Sequence, residues 1–299
     1  EFRRVLFRSM LLHRFFGDPK RKENILKKFA LIGYPLGHSL SPLIHRELMR
    51  LSGIDGTYEL KEISPEDLEN KMDELKKLDG FNVTIPHKMH IIPFLDKLND
   101  RAALYGAVNT VKLDESGSLG CNTDCFGFLR ALEAEEISLS GRVLICGAGG
   151  VSSMFACEAA AAGAEVTVAA RNIEKAKLLA DDILKKLNVK INITDFENVE
   201  KGWNLIVNGT PVGMFPHTDE CVLPCDIIAS ADAVFDAIYN PSETVFLRCA
   251  SENNVKGLNG LSMLVWQAAV AQEIWNGVSF SREQIDEVIA ITERKSGTL

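Results

Sequence analysis

No stretch of the 299-residue chain is apolar over the roughly 18–20 positions that a membrane-crossing helix needs. A secretory signal with a cleavage pattern is missing too. There is no internal repeat and no low-complexity segment, which excludes a solenoid and a disordered chain. Zinc-type spacing is also poor. Cys121/Cys125 and Cys221/Cys225 are each separated by three residues, without the matched set that a structural zinc site uses. The histidines next to Lys88, His87 and His90, have no convergent partners, and no metal is expected. His45 and His217 read as surface residues. The odd number of cysteines, seven, fits free thiols in a reducing cytoplasm. Cys146 and Cys157 read as small core residues.

Positive charge is scarce outside the first residues. Residues 1–28 hold nine Lys/Arg against three acids, and the remaining chain holds 24 against 38. An acidic body lacks the basic face that nucleic acid demands, so no nucleic-acid partner is expected. Residues 1–28 are expected to lie outside the fold, as an upstream or cloning-derived extension. The rest is expected to be soluble and cytoplasmic. Its composition, 46% hydrophobic and 25% charged, is that of a globular protein, and its length suits two domains.

Strand and helix patterns alternate from Phe29 onward, which predicts α/β architecture. Strands are expected at 28–33, 58–63, 80–84, 108–113 and 119–121. A helix with Pro42 in its first turn, an amphipathic helix from Ser64 to Leu78 and a helical stretch from His87 toward Asn109 separate them. A helix at 126–132 leads into a second unit. There, Arg142–Cys146, the Gly147–Ser152 turn, an Ala-rich helix at 153–162 and the strand 165–170 form a βαβ unit. Strands at 204–208 and 233–238 and helices at 260–276 and 282–294 complete the chain.

Four polar clusters fall at strand ends of the first unit, where open α/β sheets place ligands. They are Gly37–Pro42, Asn82–Lys88, Gly106–Thr110 and Asn122–Asp124. Each alone could be turn chemistry. Together they offer the hydroxyl, amide, ammonium and carboxylate groups that a small polyhydroxylated acid requires. In the second unit, Gly147, Ala148, Gly149, Gly150, Val151 and Ser152 join a strand to a helix. Gly147 permits the tight turn and Gly149 lets backbone N–H groups approach a pyrophosphate. NAD sites usually place an acid after the second strand, and this chain has Arg171 there, with Lys175 four residues on. A guanidinium suits a 2′-phosphate, so NADP is preferred over NAD.

These motifs run in order as GxxxxHSLSP, NVTIPHK, GAVNT, NTD, GAGG, NGTPVGM and a late GLSMLVWQ. In that order the chain closely resembles the shikimate dehydrogenase family, from about Phe29 to its last helices. The resemblance implies an α/β substrate-binding domain at 29–127, a Rossmann-type NADP domain at 128–258 and C-terminal helices, 259–299, returning to the first domain. It implies reversible reduction of 3-dehydroshikimate to shikimate with NADPH, in aromatic amino acid (chorismate) biosynthesis. The alternative is a quinate/shikimate paralogue using NAD. Lys88 and Asp124 match the family's catalytic pair, and Ser39 and Ser41 its carboxylate-holding hydroxyls. Asn82, Thr84, Asn109 and Gln267 match substrate ligands, with Tyr239 at the cofactor-side edge. Gly147 to Ser152, Arg171, Asn172 and Lys175 match the cofactor-contacting region, and Asn208, Gly260 and Met263 the nicotinamide side. Two departures, Ala170-Arg171-Asn172 for Asn-Arg-Thr/Ser and Asn259-Gly260 for Asp-Gly, fall on the cofactor side. A homodimer is left open.

Beside the resemblance stands a chemical reason for Lys88. Hydride addition to a ketone creates an alkoxide, which needs a proton donor within hydrogen-bond reach. An ammonium can donate, and a carboxylate beside it can orient it and hold a substrate hydroxyl.

Overall fold

The computed structural model describes residues 26–37 and 39–296, so His38 and most of the basic leader lie outside the described residues. Two six-stranded sheets organise the chain. The first contains β1 (Lys27–Gly33), β2 (Gly56–Glu62), β3 (Gly80–Val83), β4 (Lys97–Leu98), β5 (Thr110–Asp114) and β6 (Gly117–Cys121). Their order is β2-β1-β3-β5-β6-β4. The parallel β2, β1 and β3 are followed by β5, antiparallel to both β3 and β6. That reversal brings the end of β3, the start of β5 and the end of β6 to one edge, where the motif residues collect.

β1 begins at Lys27, inside the segment expected to lie outside the fold; Lys27 and Lys28 are bound by Asp79 at the mouth of β3. α1 (Ser41–Ser52) starts with Pro in its first turn and stops at Gly53, whose φ of 68° is the left-handed conformation that glycine adopts freely. α2 (Leu68–Leu75) is shorter than expected, because Ser64–Asp67 forms a turn. The helical stretch expected from His87 toward Asn109 is instead three pieces. α3 (His87–His90) gives way to a 3₁₀ turn at Ile92–Phe94, which contains Pro93. The chain then extends as β4, and α4 (Asp100–Tyr105) begins anew where Asn99 caps it by accepting from Ala102 N–H. Proline cannot donate to a continuing helix, and the cap marks a fresh start.

α5 (Asp124–Ala134) joins the halves. The second sheet contains β7 (Arg142–Cys146), β8 (Glu165–Ala169), β9 (Asn192–Thr194), β10 (Leu205–Asn208), β11 (Ala233–Asp236) and β12 (Lys256–Leu258). All its ladders are parallel, in the order β12-β11-β10-β7-β8-β9. This is the doubly wound nucleotide-binding order, with its switch point between β7 and β10. α6 (Gly150–Ala161), α7 (Ile173–Leu187), α8 (Cys225–Ile228) and α9 (Val245–Glu252) cover it. The buried Val143, Ile145, Val166, Val168, Leu205 and Val207 pack with Phe155 and Phe128 on one face, and Leu144, Ile206 and Val234 with Trp203 and Phe246 on the other, so both faces of this sheet carry core, as a parallel sheet requires.

α10 (Gly260–Asn276), capped by Asn259, and α11 (Arg282–Ser296) end the described chain. α10 packs its apolar length against α1 and α5, and Trp275 donates to Val111 O of the first sheet. α10 therefore leaves the second sheet and returns to the first. Cysteine usage differs from expectation. Cys146 and Cys157 are buried, but Cys225 of α8 and Cys249 of α9 form a disulfide, where free thiols were expected. The two helices pack on one core cluster, which brings the pair to a Cα–Cα distance of 5.6 Å. Among the described residues no helix is long and apolar enough to cross a membrane.

Candidate active site

Each side chain of the first-sheet cluster is placed by a backbone constraint. Lys88 sits on the one-turn helix after β3, and its carbonyl accepts from Val108 N–H at 2.8 Å. That bond ties the lysine's backbone to the segment that carries Asn109 into β5. Asn109 O in turn accepts from Val83 N–H at 2.8 Å. Asp124 opens α5, where its backbone N–H donates to Asn122 Oδ1. Lys88 Nζ donates to Asp124 Oδ2 at 2.6 Å. The side chains are 32% and 20% exposed, so the pair is shielded but reached by solvent.

Asn109 is the hub. Its Nδ2 donates to Asp124 Oδ1 at 2.7 Å and to Thr123 Oγ1 at 2.9 Å, and its Oδ1 accepts from Thr123 N–H at 2.7 Å. Gln267 Oε1 closes the ring, 3.4 Å from Thr123 Oγ1 and 3.5 Å from Asn109 Nδ2. Gln267 reaches the cluster because α10 crosses α5 closely at Gly127. A β-carbon there would lie 2.6 Å from Met263 O and 2.8 Å from Gln267 Cβ, so only glycine fits. Gly33 plays the same part at the end of β1, where an added β-carbon would meet the Thr84 methyl at 2.5 Å.

Ser39 and Ser41 lie at the start of α1, with Ser41 N–H donating to Ser39 Oγ. Behind them lies Tyr58 of β2, whose place in the sequence is that of an ordinary strand residue. Its hydroxyl faces Ser41 and donates to Asn82 Oδ1 at 2.7 Å. Asn82 is buried, and its Nδ2 donates to Asn109 O and Thr110 Oγ1, so every polar atom of its amide is engaged by protein. His45, expected on the surface, is fully buried and stacks flat on Tyr58, with ring centroids 4.1 Å apart. It faces inward because α1 packs that side against α10. Burial lowers its pKa from 6.5 to about 3, so the imidazole is neutral.

The second-sheet residues gather at the carboxyl ends of β7, β8, β10 and β11. Gly147 has φ 101°, and α6 begins after Gly149 with no side-chain cap, which leaves its first-turn N–H groups free of side-chain acceptors. Ser152 is buried and donates to Gly209 O at 3.0 Å and Cys146 O at 3.4 Å, tying the turn after β7 to the turn after β10. Ala148 completes that turn, and Gly150 and Val151 open α6. Arg171 and Lys175 are exposed and pair with no described residue, whereas Asn172 caps α7 by accepting from Lys175 N–H. Asn208 is buried between two partners: its Nδ2 donates to Asp236 Oδ1, and its Oδ1 accepts from Thr210 N–H and Oγ1. Asp236 also accepts from Thr244 Oγ1 and Ile238 N–H, yet burial still raises its carboxyl to about 6. Neither Asp236 nor Thr244 stood out in the sequence, because they are eight residues apart without a repeated pattern.

The two collections meet along α10. Gly260 N–H donates to Ile238 O at the second sheet, and a β-carbon there would lie 2.2 Å from Ala237 O. Gln267, seven residues and about 10 Å further along the helix, reaches Asn109. Met263 lies between them and packs on the cores of both halves. Tyr239, about a third exposed, follows Ile238 at the same edge. Among the described residues no cluster of His, Cys, Asp or Glu could hold a metal ion.

This chain, with its glycine turn at the carboxyl end of β7 and its Lys88–Asp124 pair, is similar to known proteins over most of its length. A profile of the shikimate dehydrogenase substrate binding domain matches residues 31–111. The NADP(+)-dependent shikimate dehydrogenase of Caldanaerobacter subterraneus subsp. tengcongensis is 41% identical over 89% of this chain and 98% of its own. A shikimate dehydrogenase crystallised with NADP+ superposes with a TM-score of 0.83 at 38% identity, covering 89% of this chain and 95% of that one. The Thermus thermophilus shikimate 5-dehydrogenase, crystallised with NADP(H) and shikimate, gives a TM-score of 0.80 at 33% identity, over 89% of this chain and all of its own. With agreement of that depth running through both halves, the chain belongs to the shikimate dehydrogenase family.

Proposed function

We propose that the chain reduces 3-dehydroshikimate to shikimate with NADPH, reversibly, with Lys88 and Asp124 as its catalytic pair. The observation that carries this reading is the Lys88–Asp124 bond inside the Asn109–Thr123–Gln267 ring, one helix away from the glycine turn. The residues at the second sheet suit a phosphorylated dinucleotide: an uncapped helix start for the pyrophosphate and two unpaired cations after β8 for a 2′-phosphate. NADPH, when bound, supplies the hydride.

The chain's own residues handle the proton and the orientation. Lys88 donates a proton from Nζ to the oxygen that becomes a hydroxyl, and its exposure lets water restore it. Asp124, held by Asn109, aims the ammonium and accepts from a neighbouring substrate hydroxyl. Gln267 orients the ring from a position set by Asn109 and Thr123, while Ser39, Ser41, Thr84 and Tyr58 surround the carboxylate. Asn82, Asn208, Ser152 and Asn172 spend their side chains on the protein, which supports shaping roles for them rather than direct ligation. Gly260 and Met263 form the floor between the two halves, and Tyr239 its rim. The units 27–127, 128–258 and 259–299 are the proposed division, the first opening with β1. The enzyme is proposed to act in the cytoplasm, and light scattering separates a monomer from a homodimer.

The direct test follows NADPH absorbance with 3-dehydroshikimate; folded protein without turnover refutes the proposal. Running shikimate and quinate against NADP+ and NAD+ in the same assay separates the quinate paralogue. Arg171→Gln should raise KM for NADP+ about tenfold, the worth of a charge-assisted contact, and leave KM for NAD+ nearly unchanged. Equal changes for both cofactors would remove Arg171 from the 2′-phosphate.

A further inference from the structure

His45 lies one helical turn beyond Ser41 on α1, so both belong to the face that looks into the first-sheet cluster. Its proton can be placed. Gln272 Oε1 accepts from Asn276 Nδ2 at 2.8 Å, which leaves Gln272 Nε2 to donate to His45 Nδ1 at 2.9 Å. A neutral imidazole that accepts at Nδ1 carries its hydrogen on Nε2. That Nε2–H is buried and has no hydrogen-bond partner, although it faces Asn82. Unpartnered buried donors are rare and costly, and one aimed at a functional cluster calls for a reason. Asn82 Oδ1 is already taken by the Tyr58 hydroxyl, and the Tyr58 ring is held parallel to His45 within 8°.

We propose that His45 is a positioning residue for substrate binding: its Nε2–H is a reserve donor that takes over Asn82 Oδ1 when the Tyr58 hydroxyl turns to an acceptor oxygen of the bound substrate. This rests on the reading of the first-sheet cluster as the shikimate site. Without the reserve, turning Tyr58 would orphan the buried Asn82 oxygen, because both hydrogens of Asn82 Nδ2 already point away to Asn109 O and Thr110 Oγ1. With it, one hydrogen bond replaces another and the turn costs little. The flat stacking lets the Tyr58 hydroxyl pivot while the ring stays in place. Neutrality matters as well, since an imidazolium would demand a second acceptor at Nδ1, where Gln272 presents a donor.

Two measurements test this. His45→Phe keeps a flat ring and removes the donor. It should raise KM for shikimate about tenfold, with kcat and KM for NADP+ within about twofold of wild type. In a Tyr58→Phe background the same substitution should add less than about twofold, because the hydroxyl it serves is gone. An unchanged KM for shikimate, an equal loss in both backgrounds, or a parallel rise in KM for NADP+ overturns the inference. Should His45→Phe not fold, wild-type enzyme with ¹⁵N-labelled histidine decides the matter. The Nε2-bound proton should be detected in slow exchange with water and should move downfield on saturation with shikimate. A proton on Nδ1, or a signal that shikimate does not move, overturns it. Wild-type turnover of shikimate is measured first: its absence defeats the functional reading and this inference together, whereas turnover with an unmoved signal defeats this inference alone.

Discussion

Lys88→Ala is expected to lower kcat for shikimate oxidation by roughly 10²–10⁴-fold, the range that general acid–base catalysis supplies, while KM for shikimate changes far less. The side chain ends 2.6 Å from Asp124 in a cluster where it is the one described cation. Removing it takes away the group that accepts the hydroxyl proton as the carbonyl forms. The fold should tolerate the change. Lys88 contributes its backbone carbonyl to Val108, which alanine retains, and Asp124 keeps Asn109 Nδ2 at 2.7 Å as a partner. An ion pair this open contributes on the order of 1 kcal/mol or less to stability, so the variant should melt close to wild type. Steady-state rates with shikimate and NADP+, read beside a melting curve, settle the point. A raised KM with kcat unchanged would make Lys88 a binding residue without a role in the chemistry.

Much of this arrangement is legible in the amino-acid sequence, and the failures have physical causes. Gly147 and Gly149 after the four-residue apolar run 143–146 predict a β-turn-α unit, and α10 occupies the expected span 260–276, because cap and stop residues (Asn259 and Gly277) are local signals. Lys88, Asn109, Asp124 and Gln267 converge although 179 positions separate the first from the last, and short motifs identify them without saying why they meet. What stays hidden depends on partners distant in the chain. His45 looks like a surface residue of a polar helix until Gln272, on the last long helix but one, lies against it. Tyr58 reads as an ordinary strand residue because its role is defined by Asn82 and Ser41 on other elements. Cys225 and Cys249 pair because α8 and α9 share a core, which no spacing announces. The segment after His87 misleads for a different reason: its apolar spacing suits a helix, yet Pro93 and the pairing of β4 with β6 override it.

The largest expected effect on stability comes from the same buried histidine, and it has a sign that another buried group opposes. His45 in the folded chain is held to about 3, against 6.5 in the unfolded chain, so below pH 6.5 the unfolded state binds a proton that the folded state refuses. Its contribution is complete above pH 6.5 and falls away as the pH drops toward 3. At pH 4 the loss amounts to about 3 kcal/mol. Asp236 acts in the other direction. Its folded value is raised from 3.8 to about 6, so the folded chain holds a proton the unfolded chain has released. Its stabilisation is complete below pH 3.8 and lost as the pH rises through 6, a gain of about 2 kcal/mol on going from pH 7 to pH 4. The two groups lie in different halves, His45 behind the first sheet and Asp236 at the end of β11. Acid should therefore loosen the substrate half before the nucleotide half. Trp275, 5.4 Å from the His45 ring, reports on the first, and Trp203 in the other core on the second. In guanidinium titrations at pH 7 and pH 4, His45→Phe should shrink the acid-induced loss of stability seen through Trp275, and Asp236→Asn should enlarge the loss seen through Trp203. Identical pH slopes in wild type and His45→Phe would mean that the imidazole takes its proton in the folded chain, and the neutral donor facing Asn82 would no longer exist in the acid range.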